Sequence, residues 1–127
     1  MNAADDPQAW IYKARQDLLC IDNNIAAAQV PWDAVAFHAQ QAGEKALKAI
    51  LVANKGIVPR THDLTLLLGE CRALGPPLHG LDNDCQSLSR FAVQFRYPGA
   101  PSAVGKAEAT EAAAAARRIV DAVVGVI

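Results

Sequence analysis

The segment that decides the fold is Asp33–Lys55, DAVAFHAQQAGEKALKAILVANK. It has no proline and a single glycine, and it is dense in Ala, Leu, Lys, Glu and Gln, residues that lose little conformational freedom in a helix. The segment is predicted to be the central helix. At about 100° per residue, Val35, Ala39, Ala42, Ala46, Ala49, Ile50 and Ala53 fall on one arc, while His38, Gln41, Lys45 and Lys48 line another at spacings of three and four. The apolar arc is mostly alanine, so a partner helix can come close to the backbone. Glu44 precedes Lys48 by four residues, the better orientation for a helical ion pair worth about 0.2–0.5 kcal/mol. The polar row is either the wet face of this helix or the wall of a site, and periodicity alone leaves both readings open.

Working outward, Asp6-Pro7 is a good helix start: the carboxylate caps free N–H groups, and proline at the first position needs no donor. From there Trp10, Ile11, Ala14, Leu18, Ile21, Ile25 and Ala28 repeat at three and four, which predicts a first helix to about Gln29 with Asp17 and Asn24 on the edge of its stripe. Val30-Pro31 ends it, and Asp33 is expected to cap the central helix. That helix should close near Asn54–Gly56, with glycine in the left-handed conformation. The loop GIVPRTHD then sets Arg60, Thr61, His62 and Asp63 side by side, with Thr61 or Asp63 as the cap of a short third helix. Leu64, Leu67, Leu68, Cys71 and Leu74 mark that helix, which Gly75 and Pro76-Pro77 terminate. A turn carries Leu78 to Leu81, a fourth helix is expected over Asp82–Phe95, Arg96-Tyr97-Pro98-Gly99 breaks the chain, and a fifth helix follows Pro101-Ser102. No alternating strand pattern occurs. The expectation is one all-α domain, residues 1–127: an up-and-down antiparallel helical bundle of four long helices plus one short helix.

Composition limits the function classes. The net charge of -1 provides no global field towards nucleic acid or membrane, so any phosphate contact must come from a local cluster. Three cysteines, Cys20, Cys71 and Cys85, without C-x-x-C spacing, argue against a disulfide framework or zinc site and for reduced thiols in a cytoplasmic protein. The acidic start MNAADDPQAW does not read as a signal peptide, and no apolar run reaches membrane-spanning length. Phosphate-binding glycine loops, H-E-x-x-H and G-x-S-x-G are all absent, and three scattered histidines make no metal site. Three polar groups remain: the His38/Gln41/Lys45/Lys48 row with Glu44, the Arg60–Asp63 run, and Arg96-Tyr97-Pro98. Phosphoryl chemistry needs a general base and a cation, and His62 with Arg60, or Arg96 with Tyr97, are the residues that fit. Each group also has a plainer explanation, as a solvated face, a helix cap or a helix end.

Taken together, FHAQQAGEKALKAILVANKG, then P-R-T-H-D-L, then RFAVQFRYPG, with W-x-x-x-A-x-x-D-L at Trp10–Leu18, resemble the HEPN domain, the "higher eukaryotes and prokaryotes nucleotide-binding" family, in a subtype marked by R-Y-P. The resemblance covers nearly the whole chain. It implies a bundle of four long helices and a short fifth, homodimerisation, and action beside a small nucleotidyltransferase subunit in a toxin–antitoxin pair. It also implies a cleft that binds nucleotide or RNA, lined by Arg96, Tyr97, Pro98, Lys45, Gln41 and Glu44 with His62 at its edge. Arg96 and Lys45 are expected to hold a phosphate, or an acidic patch of the partner. Many members are metal-independent ribonucleases with an Arg-x(4-6)-His motif. Here no histidine follows Arg96, and the literal match, Arg72 to His79, straddles Gly75-Pro76-Pro77, so ribonuclease activity is left open and no cofactor is expected. The competing reading is a non-catalytic helical module whose polar face docks a protein.

Overall fold

The computed structural model describes residues 2–92, 98 and 104–127. After a 3₁₀ turn at Ala3–Asp5 come α1 (Pro7–Ile25), α2 (Trp32–Ala53), α3 (Leu64–Ala73), α4 (Asp82–Ser89) and α5 (Lys106–Val126). The all-helical expectation holds: no strand occurs among the described residues.

Helix α1 starts as its sequence predicts, with Pro7 in the first turn and the Asp6 carboxylate accepting the Gln8 N–H at 2.9 Å. It stops at Ile25 instead of Gln29. Ile21 is its last buried residue and Ile25 is already exposed, so Ala26–Ala28 have nothing to bury by staying helical, whatever their propensity. Helix α2 opens at Trp32 without a side-chain cap. Asp33 instead accepts the Val104 N–H at 3.2 Å, tying the approach to α5 onto the head of α2. At the other end the left-handed residue is Lys55, with φ 56°, rather than Gly56. Gly56 serves a different need: its N–H reaches the Leu51 carbonyl at 2.7 Å, and a Cβ there would sit 3.3 Å from that oxygen.

The core is built around α2. Ala36, Ala39, Ala42, Ala46 and Ala49 are fully buried with Val35, Leu47, Ile50 and Leu51, and each large side chain so enclosed contributes about 1.5–3 kcal/mol. Helices α1 and α5 make the most extensive contacts with it. At Gly43 the other elements converge: a Cβ would lie 2.8 Å from Leu64 of α3, 3.3 Å from Ile119 of α5 and 3.4 Å from Leu88 of α4. Cys71 and Cys85 belong to this core as free thiols, both pushed up to about 12 chiefly by burial, while Cys20 is exposed.

The paired residues fix the helix directions. Asp17 meets His38 and Lys45, while Ala4 and Asp5 lie beside Val52 and Lys55, so α1 and α2 are antiparallel. Leu64 lies by Gly43, Cys71 reaches the Leu47 carbonyl at 3.2 Å, and Leu74 lies by Gly56. Helix α3 therefore runs in the same sense as α2, which departs from strict up-and-down alternation. The cause is the segment 54–63, which climbs back along α2 before α3 begins. Alternation resumes afterwards. Arg72 pairs with Asp82 and Leu64 with Ser89 across α3 and α4, and Arg118 of α5 holds Asp84 of α4 through two bonds of 2.8 and 3.0 Å.

Of the four long helices expected, three are long among the described residues: α1, α2 and α5. Helix α4, expected to run to Phe95, ends at Ser89. The Ser89 hydroxyl donates to the Cys85 carbonyl and accepts the Leu64 N–H, both at 2.9 Å, and Phe91 and Ala92 close the end with four-residue turns, their N–H groups donating to the Leu88 and Ser89 carbonyls. The rest of that expected helix, 93–95, lies outside the described residues.

Candidate functional site

The polar row on α2 is not a simple wet face. Helix α1 presents Asp17 on its core-facing stripe, and a charge there needs a partner that the facing helix must supply. The Asp17 carboxylate, 9% exposed, accepts from Lys45 Nζ at 2.7 Å and pairs with His38 Nδ1 at 2.9 Å. About 100° round α2 from Lys45, Glu44 repeats the arrangement. Its carboxylate, 7% exposed, pairs with His62 Nδ1 at 2.7 Å and accepts from Lys48 Nζ at 2.9 Å. Gln40 adds a third donor at 3.0 Å and with the same amide reaches the His62 carbonyl at 3.2 Å; Gln41 in turn donates to Gln40 Oε1 at 2.7 Å. Thus two buried carboxylates each hold one histidine and one lysine, and an amide chain braces the second.

Burial raises the pKa of Glu44, but hydrogen bonds from Gln40, His62 and Lys48 outweigh it and hold the carboxyl below its ordinary 4.5. Glu44 is therefore a fixed negative charge at neutral pH. In both clusters the imidazole faces the carboxylate through Nδ1, so a neutral ring carries its proton there and has its lone pair on Nε2. The two rings differ in access: the His38 side chain is 28% exposed, with its ring edge-on to Phe37, and that of His62 is 61% exposed.

Of the residues expected to line the cleft, Glu44, Gln41 and His62 are joined in one network, while Lys45 belongs to the neighbouring Asp17 cluster. Lys45 is thus already matched by a carboxylate, and a phosphate would have to compete with Asp17 for it. Pro98 sits exposed in a turn, and Arg96 and Tyr97 lie outside the described residues. Asp17 and Gln40 were not among the expected site residues. A carboxylate at a position where the α1 stripe repeats is the available signal for the first; Gln40 carries none, because its neighbours decide its role. Asp63 caps α3 by accepting from Thr65 and Leu66, while Thr61 accepts the Asp63 N–H. The literal Arg-x(4-6)-His match is structural at its arginine: Arg72 donates to the Leu78 carbonyl and to both Asp82 oxygens, bracing the loop in which His79 is exposed. No cluster of three or more His, Cys, Asp or Glu suited to a metal occurs among the described residues, and none of their helices is long and apolar enough to cross a membrane.

A sequence profile described as the HEPN domain matches residues 7–126. Among solved structures, the crystal structure of TT1696 from Thermus thermophilus is similar over 100% of both chains, with a TM-score of 0.84 and 27% identity. A search of curated protein sequences returns no match.

Proposed function

Because the chain belongs to the HEPN domain family, we propose that it works as a homodimer beside a small nucleotidyltransferase, in a toxin–antitoxin pair, and binds nucleotide or RNA through the polar side of α2. The observation that carries this reading is the gathering of Lys45 and His62 about two buried carboxylates, with Gln41 joined to the second through Gln40. Such a cluster costs desolvation that an apolar seam would avoid. The reading assigns Arg96, Tyr97 and Pro98 to the binding group as well, with Arg96 as its phosphate cation. Since the net charge is -1, binding rests on these local groups and not on bulk attraction.

The test is titration of the purified protein with ATP and with a short labelled RNA, alongside sedimentation to establish oligomeric state. Arg96→Ala is expected to weaken binding at least tenfold with the thermal melt unchanged. Equal binding by wild type and Arg96→Ala removes the proposal. A second reading, a non-catalytic module that docks a protein, draws on the fact that Lys45 and Lys48 are already neutralised by Asp17 and Glu44. It predicts no titration with either ligand and capture of the nucleotidyltransferase alone.

A further inference from the structure

Where α2 ends, a hollow of about 520 Å³ is lined by Ala4, Asp5, Val52, Lys55, Gly56 and Val58, none of which belongs to the two carboxylate clusters. Its volume falls in the range of small-molecule sites. Both walls are held in place. On one side the Ala4 N–H donates to Asn2 Oδ1 at 3.0 Å and the Trp10 indole donates to the Ala4 carbonyl at 2.9 Å, so the 3₁₀ turn is capped and tied to α1. On the other the Lys55 N–H reaches the Val52 carbonyl at 3.1 Å, the Gly56 N–H reaches that of Leu51 at 2.7 Å, and Val58 packs against the core. A hollow fixed in advance loses less freedom on binding than one that must first order itself.

The charges about this hollow are opposed. Asp5 stands on the 3₁₀ turn and Lys55 just past α2, both exposed, and among the described residues neither forms an ion pair. Lys55 is held at φ 56°, a conformation that glycine or asparagine adopts more readily, so the turn does not account for a lysine there. Val52 lies in the last turn of α2, whose carbonyl end adds partial negative charge to the same hollow. The remaining side chains of the lining, Ala4, Val52 and Val58, are aliphatic. Asp5 and the helix end favour a cation, Lys55 favours an anion, and the valines favour an apolar body. We infer that the hollow binds a small zwitterion with an aliphatic body, an apolar α-amino acid or dipeptide, with its ammonium on Asp5 and its carboxylate on Lys55. A cation alone would leave Lys55 unmatched, and an anion alone, a phosphate included, would meet Asp5 as a like charge. The site is independent of nucleotide or RNA binding at the α2 clusters.

The experiment is titration of the isotope-labelled full chain with L-leucine and with leucyl-valine at millimolar concentrations, followed by amide NMR shifts. Isoamylamine and isocaproate, which keep the aliphatic body of leucine and lack one of its charges, are titrated in parallel. Saturable shifts are expected at Ala4, Asp5, Val52, Lys55, Gly56 and Val58, with each singly charged compound binding about fivefold or more weakly than leucine. Tighter binding of leucine than of leucyl-valine assigns the free amino acid, and the reverse order assigns the dipeptide. Asp5→Asn should weaken leucine by about the same factor and leave isocaproate no weaker, while Lys55→Asn, which suits the left-handed turn, should weaken leucine and leave isoamylamine no weaker. Both side chains are exposed, so the thermal melts of the variants should match wild type, and the singly charged compounds on wild type decide the matter should a variant unfold. Absence of saturable shifts with both zwitterions, shifts only at other residues, singly charged compounds that bind as tightly as leucine, or leucine binding unchanged in either variant overturns the assignment.

Discussion

At the scale of single residues, the charge on Glu44 has a pH signature. Its carboxyl titrates near 4.5 in the unfolded chain and lower in the fold, because the donors Gln40, His62 and Lys48 outweigh burial. A depressed carboxylate contributes stability that is complete above the unfolded value and is lost as pH falls through the folded one. Glu44→Gln should therefore cost about 2 kcal/mol at pH 6, and the gap from wild type should close progressively below pH 4.5 in urea titrations. A gap that stays constant down to about pH 3 would show that the charge is irrelevant. Glu44, Lys45, Gln41 and His62 were legible in the sequence as polar residues at helical spacing or beside a cap. Their partners were less so. Asp17 reads as the edge of an apolar stripe until α2 is laid against it, and only then do Lys45 and His38 account for it. The Arg96-Tyr97 part of the expected site has no counterpart among the described residues.

At the scale of elements, α2 was legible almost to the residue because propensity, periodicity and packing all agree along it. The ends of α1 and α4 were not. Propensity favours continuing both, but burial stops at Ile21 in α1, and in α4 the Ser89 hydroxyl is drawn to the start of α3. The glycine inside α2 was visible, but not its purpose. Gly43 is where α3, α4 and α5 reach the α2 backbone, with the nearest side-chain carbon 2.8 Å from where a Cβ would stand. A branched side chain cannot fit there unless three helices retreat together. Gly43→Val should destabilise the protein by about 1–3 kcal/mol, read as a lower denaturant midpoint. An unchanged midpoint would mean that this junction is loosely packed.

At the scale of the molecule, the all-α class was legible from the absence of alternation, while the path of the chain was not. Nothing in GIVPRTHD announces that 54–63 doubles back along α2. Its direction is set by contacts made far away in sequence, through His62 to Glu44 and Gln40 and through Leu64 to Ser89. Family membership was legible because the α2 and T-H-D-L residues that signal it also build the paired clusters.

That doubling back leaves an imbalance in how the chain can assemble. Helices α1 and α2 are joined by only six residues, 26–31, so their pairing closes a short loop, whereas α5 meets α2 across a separation of more than 70 residues. The hairpin should therefore form in the rate-limiting ensemble, and α5 should dock after it. Ile21→Val in α1 and Ile119→Val in α5, both at fully buried positions, should each cost about 0.5–1.5 kcal/mol. In stopped-flow experiments the first should mainly slow refolding and the second mainly hasten unfolding, and the reverse pattern would place the nucleus at the C-terminal helix.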